Sequence, residues 1–390
     1  LIENLNATSK PYRIEQLSLS LRMSSELAWM TEGKAQFQIG NAFYNPQAQV
    51  VRDLGVLAAA VYRHDRGQLR VLETMAACGV RSLRYALESE ADFVWANDSN
   101  PDIQSILHGN LAQHLDAARF QVSDRDALRV LFDAYNRQDY YDFVDVDCFG
   151  SPASFLGASL GACAIDGFIY LTSTDGRTGT GRAPQNCVGD FGAYARVHPC
   201  VHEQSLRLII GAVQQLAAAR SFGVEPVFSL FTGQTYRVLL RLVASIRLTE
   251  QNYGFLGYCH ECGTYQTVGW RDLGRANCPH DGRSLVLSGA MWLGNLHDSV
   301  QVSRFAQLAD RWGWLSRSRL LRVMEAEAEM PPYFYPLGEI GRRGKLDLPK
   351  SAHLIQTLQD WGFQASVTHV DRQAIKTDAD MQTCIRAARS

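Results

Sequence analysis

Apolar positions along the chain alternate between two spacings. Residues 69–76 (LRVLETMA) form a short apolar, β-branched run bounded by polar residues, which predicts a buried strand. The next segment, 80–89 (VRSLRYALES), spaces Val80, Leu83, Tyr85 and Leu87 for packing along a helix. The switch then repeats. DFVWAND (92–98) predicts a strand, and 101–115 predicts a helix opened by Pro101 with Ile103, Ile106, Leu107 and Leu111 on one face. RFQVSD, ALRVLFDAY, YDFVDVD, ASFLGASLGACA and GFIYLTST continue as strand, helix, strand, helix, strand. A longer helix at about 201–220 and strands at 226–231 and 236–245 complete the series. Such alternation predicts a parallel α/β sheet with helices on both faces.

In open sheets of this kind a ligand sits beyond the carboxyl ends of the strands. Glu73, Asp98, Asp126 and Asp147 all fall at or just after predicted strand ends, so they share that address. One acid at a strand exit is ordinary; several in succession favour a site. VDVDCFGSP (144–152) is the densest case, with Asp145 and Asp147 followed by Phe149, Gly150 and Pro152. Taken alone, those residues read equally well as a strand ending in a solvent-exposed turn.

The first strand runs into ETMAACGVRS (73–82), whose small residues Ala76, Ala77 and Gly79 let a ligand approach the backbone. The segment lacks G-x-G-x-x-G, which counts against a dinucleotide. Asp98 stands where such folds bind a ribose hydroxyl pair, although NDSNP could equally cap a helix. Asp126 could face an adenine amino group. A nucleoside cofactor without a pyrophosphate fits these positions, and S-adenosylmethionine meets that description.

Composition narrows the class further. A chain of 390 residues implies two or three domains, and 46% hydrophobic with 20% charged residues implies a large globular core. No apolar stretch is long enough to span a bilayer, and the start (LIENLNATSKPYR) lacks the order of a signal peptide. Nine scattered cysteines argue for a reducing compartment, so a cytoplasmic location is expected. A net charge of -2 neither demands nor forbids a nucleic-acid partner. Two segments, 311–322 and 341–350, are locally basic; for either alone a solvated helix face is the simpler explanation.

A metal motif closes this reading. Residues 259–282 (CHECGTYQTVGWRDLGRANCPHDG) place Cys259 and Cys262 as C-x-x-C, with Cys278 at zinc-ribbon distance. A regular knuckle puts its last ligand at Asp281; His280 is adjacent and His260 lies inside the first pair. Zinc held by three thiolates plus Asp281 or His280 is one expectation, and a degenerate ribbon that folds without metal is the other.

The stretches EGKAQFQIGNAFYNPQAQVVRD (32–53), AACGVRS, ANDSNP, DRDA (124–127) and DVDCFGSP together resemble the tRNA guanine-N2 dimethyltransferase family. The resemblance continues in order through TSTDGRTGTGRAP (172–184), HEQSLRLII (202–210) and ASVTHVDRQAIKTDA (365–379). It implies a Rossmann-like S-adenosylmethionine-dependent methyltransferase domain over 1–249 and a smaller α+β tRNA-binding domain over 250–390. The substrate implied is the exocyclic amine of guanine 26 in tRNA, with guanine 27 also modified by some bacterial members.

The resemblance assigns cofactor contacts to Arg52, Arg81, Asp98, Asp126 and Ala127, and the catalytic role to Asp147. An arginine would grip the methionine carboxylate with two prongs, Asp98 would take the ribose, and a backbone group of Ala127 would meet the adenine. Asp147 would orient the amine and receive its proton, while Phe149 would stack on the extruded base. Phe43 and Tyr44 are expected mainly as core aromatics, and Asp145 as structural. Arg342, Arg343, Lys345, Lys350 and Lys376 would reach tRNA phosphates.

Two departures stand out. Cys148 replaces the family's proline, which is expected to loosen the turn, and Val51 stands where asparagine is usual. Cys148 as a nucleophile has no histidine near it in sequence. Two rivals remain: an amino-methylase for another nucleobase, and a tRNA binder or chaperone that has lost activity. The intact cofactor residues speak against the binder.

Overall fold

The computed structural model describes residues 28–390; the expectation drawn from the first residues of the chain lies outside them. A hairpin, β1 (Trp29–Glu32) and β2 (Ala35–Gln38), precedes helix α1 (Gln49–Arg66). Leu54, Leu57 and Ala58 bury one side of α1, basic residues fill its last turn, and left-handed Gly67 ends it. The predicted alternation then follows element for element: β3 (Arg70–Glu73), α2 (Val80–Leu87), β4 (Phe93–Asn97), α3 (Gln104–Ala112) and β5 (Phe120–Ser123). It continues with α4 (Ala127–Asn136), β6 (Tyr141–Val146), α5 (Ala153–Ala162) and β7 (Cys163–Ser173). A short helix α6 (Pro184–Phe191) and the long α7 (Val201–Ala218) lead to β8 (Gly223–Phe231) and β9 (Tyr236–Val243).

These strands make one seven-stranded sheet in the order β5-β4-β3-β6-β7-β9-β8. From β5 to β7 the pairs are parallel, but β9 runs antiparallel to both β7 and β8. The all-parallel expectation fails there for a simple reason. Only residues 232–235 separate β8 from β9, too few for the crossover that a parallel pair requires.

The second half begins with β10 (Tyr253–Tyr258), β11 (Tyr265–Val268) and β12 (Val286–Trp292), paired antiparallel in the order β11-β10-β12. The helical pair α8 (Ser299–Arg311) and α9 (Leu315–Ala326) follows. Then come β13 (Tyr335–Pro336), α10 (Leu337–Gly344), α11 (Ser351–Asp360), β14 (Ala365–Val367), β15 (Ala374–Thr377) and α12 (Met381–Arg389).

No clean division falls at residue 250. Val302, Phe305 and Ala306 of α8 and Leu321 and Met324 of α9 are buried in one core with Leu54 and Leu57 of α1 and Phe228 of β8. Arg317, in one of the basic segments, pairs with Asp53 at 2.7 Å instead of facing solvent freely, and Arg304 pairs with Asp65.

A second join runs through α7. Glu203, fully buried, accepts from Arg207 at 2.8 and 3.0 Å and from Lys376 at 2.7 Å. Lys376 is therefore removed from the expected phosphate contacts; it is buried because its ammonium neutralises Glu203. Arg343 is diverted too, bonding Tyr258 Oη and the carbonyl of His260 at 3.0 Å. Arg342, Lys345 and Lys350 remain exposed.

His198 joins the halves from the other side, with Nε2 2.7 Å from Gln204 Oε1 and Nδ1 3.2 Å from Tyr265 Oη. Burial, only partly offset by the Gln204 bond, pushes its pKa down from 6.5 to about 4. The folded protein keeps this imidazole neutral while the unfolded chain protonates it. Its contribution is therefore complete above about pH 6.5 and lost as pH falls toward 4, on the order of 3 kcal/mol. In thermal melts over that range, His198→Gln is expected to show a shallower decline than the wild type; parallel curves would refute the assignment.

Candidate active site

The carboxyl ends of β3, β4 and β6 open onto a cavity of about 1140 Å³. Its walls include Arg52, Glu73, Arg81, Asp98, Asp147 and Phe149, so the structure brings most of the expected residues together. Asp126 and Ala127 are not among those walls. Asp126 is exposed and caps α4, accepting from the Arg129 N–H at 3.2 Å, while Ala127 is buried in the first turn.

Asp145 in β6 and Asp147 just past its end lie two residues apart, and two buried arginines tie them together. Arg81 from α2 donates through Nη1 to Asp145 Oδ1 at 3.2 Å and through Nη2 to Asp147 Oδ2. Arg237 from β9 lies 3.0 Å from Asp145 Oδ1 and 2.9 Å from Asp147 Oδ1, with its guanidinium over the Tyr170 ring. Tyr85 Oη donates to Asp145 Oδ2 at 2.7 Å, and Thr172 Oγ1 donates to Asp147 Oδ1 at 2.7 Å. Asp145 is wholly buried and takes no part in the cavity walls. Burial pushes the Asp147 pKa up, but Arg237, Arg81 and Thr172 outweigh it and hold the carboxyl well below its usual range. Asp147 is thus an ionised acceptor. Glu73 differs: burial drives its pKa up against Arg81.

Neither expected arginine presents a free two-pronged face. Arg52 spends Nε and Nη2 on Glu32 of β1, and Arg81 spends both terminal nitrogens on the aspartates. The physical reason is charge balance, since each arginine is nearly buried and takes the nearest carboxylate as its partner. Asp98 is better disposed. Oδ2 accepts from the Ala77 N–H at 2.8 Å and Oδ1 from the Asn100 N–H at 3.0 Å, which leaves one lone pair on each oxygen. That is the arrangement a vicinal diol needs.

Phe149 is 76% exposed and meets Phe43, 60% exposed, edge to face at 5.4 Å. Phe43 is therefore a wall of the cavity rather than a core aromatic. Tyr44 is half-buried, its hydroxyl donating to Glu32 at 2.9 Å.

The turn at Cys148 is held without its proline. The Gly150 N–H donates to Thr174 Oγ1 at 2.7 Å, the Thr174 N–H to Gly150 O at 2.9 Å, and the Cys148 thiol to Thr172 O at 3.3 Å. Gly150 takes a positive φ of 77°, which a side chain would resist. Burial and the adjacent Asp147 charge push the Cys148 pKa up to about 12, so the group is an inert thiol.

At the second motif, Cys259, Cys262, Cys278 and Asp281 offer ligand atoms all within 4.8 Å of one another. Cys259 Sγ stands 3.3 Å from Asp281 Oδ2, and Cys262 Sγ 3.4 Å from Cys278 Sγ. Two matching turns build the cluster. Left-handed Gly263 returns its N–H to Cys259 O, and left-handed Gly282 returns its own to Cys278 O, both at 2.9 Å. His280 turns away to Asp380 at 3.2 Å, whereas Asp281 stays within the cluster. A further buried group of His297, Glu327 and His369 is closed by Lys376, 4.0 Å from Glu327, and the ammonium already supplies the positive charge there.

The profile of the N2,N2-dimethylguanosine tRNA methyltransferase family matches residues 28–389. The chain belongs to that family. It is 27% identical over 387 residues to the tRNA (guanine(26)-N(2))-dimethyltransferase of Pyrococcus abyssi, covering 94% of this chain and 99% of that protein. To the protein of the same name from Archaeoglobus fulgidus it is 29% identical over 363 residues, 92% and 98% covered. Among solved structures, Trm1 from Pyrococcus horikoshii with S-adenosyl-L-methionine aligns with a TM-score of 0.80 at 26% identity, over 93% of this chain and 99% of that one. The methyltransferase α/β fold expected of this family is thus present, with a smaller α+β part after it.

Three residues escaped the sequence reading: Arg237, Thr172 and Glu32. A charge in the apolar strand YRVLLRLV was the available signal for Arg237, because a buried arginine requires a partner. Replacing the Cys148 thiol should matter little. Cys148→Ala is expected to keep methyl transfer within about threefold of wild type; loss of turnover with cofactor binding intact would give the thiol a role.

Proposed function

We propose that the protein transfers methyl groups from S-adenosylmethionine to the exocyclic amine of guanine 26 of tRNA, twice per site. The observation that carries this reading is Asp147, an ionised carboxylate beside an exposed aromatic pair on the wall of a cavity that also contains Asp98. Bound S-adenosylmethionine supplies an electrophilic methyl on a sulfonium. Asp98 binds the ribose hydroxyls through its two open lone pairs, and the remaining Nη1 of Arg52 is the group left for the carboxylate end. Asp126 and Ala127 would contact the adenine end from the neighbouring strand exit.

Phe149 and Phe43 give an extruded guanine an apolar stacking wall. The guanine amine is a poor nucleophile because its lone pair is delocalised into the ring. Asp147 accepts one of its N–H bonds, which orients the lone pair and raises its electron density. As the N–C bond forms and the methyl–sulfur bond breaks, its electron pair staying on a now neutral thioether sulfur, the amine becomes an ammonium on an electron-poor ring, a far stronger acid than an ordinary carboxylic acid. Asp147 takes that proton despite its depressed pKa and passes it readily to water. Tight pairing with the arginines makes it an acceptor in the transition state without making it a proton store.

The exposed Arg342, Lys345 and Lys350 are proposed to contact tRNA phosphates. We assign zinc to Cys259, Cys262, Cys278 and Asp281, where three thiolates and a carboxylate match its tetrahedral preference and the metal would brace the β10–β12 sheet. All nine cysteines are free, and no helix among the described residues is long and apolar enough to cross a membrane; a cytoplasmic site of action agrees with both.

The reaction is tested with labelled S-adenosylmethionine and tRNA transcripts in which guanine 26 or guanine 27 is replaced by adenine. Dimethylguanosine that vanishes with the guanine 26 replacement is expected, and transfer unaffected by either replacement would sink the reading. Asp147→Asn should slow transfer roughly 10²- to 10⁴-fold while cofactor binding survives. For the metal, elemental analysis of the purified protein should find about one zinc per chain. Cys262→Ser should lose it and melt earlier; metal-free wild type indifferent to chelators would remove the assignment.

A further inference from the structure

The pairing of β7 with β9 sets Thr172 directly opposite Arg237, and both side chains reach the same oxygen of Asp147. Thr172 Oγ1 donates to Oδ1 at 2.7 Å, and Arg237 Nη2 stands 2.9 Å from it. That nitrogen makes no ideal hydrogen bond, so it acts as a charge and as a wall against Oδ1. Arg237 itself cannot move far. Its other terminal nitrogen is 3.0 Å from Asp145, its plane covers Tyr170 at 4.3 Å, and its side chain is completely buried. It is too enclosed to touch a base. On the opposite side, Arg81 takes one acceptor position of Oδ2. A carboxylate offers about four such positions, so Asp147 keeps a single open one, on Oδ2.

We propose that Arg237, with Thr172, is a positioning residue that fixes Asp147 so that one acceptor position serves the amine in both methyl transfers, and that the second transfer depends on it most. This rests on the guanine-N2 reading above. The unmethylated amine has two N–H bonds, and a loosely held carboxylate can still catch either. After one methyl is added a single N–H remains. The C2–N2 bond must turn to bring that hydrogen onto the open position while the lone pair faces the incoming methyl. A wandering Asp147 therefore costs the second step more than the first.

The experiment follows product composition over time on a wild-type-sequence tRNA transcript for wild type, Arg237→Lys, Arg237→Met and Thr172→Val. Mono- and dimethylguanosine are quantified by mass, with KM for both substrates and cofactor binding measured alongside. Turnover is expected to fall about 100-fold in Arg237→Met, the scale of an ångström-sized misplacement. It should recover by about tenfold in Arg237→Lys, which restores the charge but not the fork. All three variants should accumulate monomethylguanosine, which wild type should pass through quickly, while KM values stay within about threefold.

Equal slowing of both steps with an unchanged product ratio would overturn the proposal, as would a rise in cofactor KM that accounts for the lost activity. Thr172→Val is nearly isosteric and tests the same oxygen if an arginine variant fails to fold. A wild type that makes no dimethylguanosine would instead defeat the functional reading on which the proposal rests.

Discussion

Two carboxylates that lie two residues apart at one strand exit, one of them wholly buried, cannot carry their charge there without cations beside them. Arg81 and Arg237 meet that requirement for Asp145 and Asp147, and much of the architecture follows from placing them. Arg81 arrives on the first turn of α2, directly after the loop that approaches the cofactor cavity. Arg237 arrives on β9, which reaches the site only because the sheet ends in an antiparallel pair. Glu73, Tyr85, Tyr170 and Thr172 then fill the remaining contacts, so four strands and a helix converge on a patch a few ångströms wide. A neutral site would not need that convergence. The cost is rigidity, since removing any one of these charges leaves an unpaired one buried behind it.

Much of this was legible in the linear pattern. The alternation of spacings located the central strands and helices, because burial on both faces makes each strand a continuous apolar run. The acids at strand exits marked the cavity correctly for Glu73, Asp98 and Asp147, since the sheet rule depends only on strand direction. Asp126 obeys the same rule but stands just outside the cavity walls, where one of its oxygens caps α4.

What remained hidden depended on contacts between distant segments. Arg237 lies ninety residues beyond Asp147, and only the reversal of β9 brings them together. Arg52 and Arg81 could be located but their partners could not, and the partner decides whether a guanidinium is free for a ligand. Lys376 looked like a surface cation until Glu203, on a helix far upstream, claimed it. The cysteine cluster is a middle case. The spacing left Asp281 level with His280 as its fourth member, and only the folded turns put Asp281 beside Cys259 and His280 beside Asp380.

The return of α8 and α9 to the core beside α1 has a consequence for how this chain can change over time. A domain that only docks on its neighbour can be exchanged as a cassette, with a few surface adjustments. Here the second half supplies Phe305 and Leu321 to the same apolar layer as Leu54 and Leu57, and the helix carrying those leucines begins beside Arg52 on the cavity wall. The part assigned to holding RNA and the part assigned to holding the methyl donor therefore share an interior. Substitutions that reshape one must be matched in the other, and the two are expected to drift as a single inherited unit.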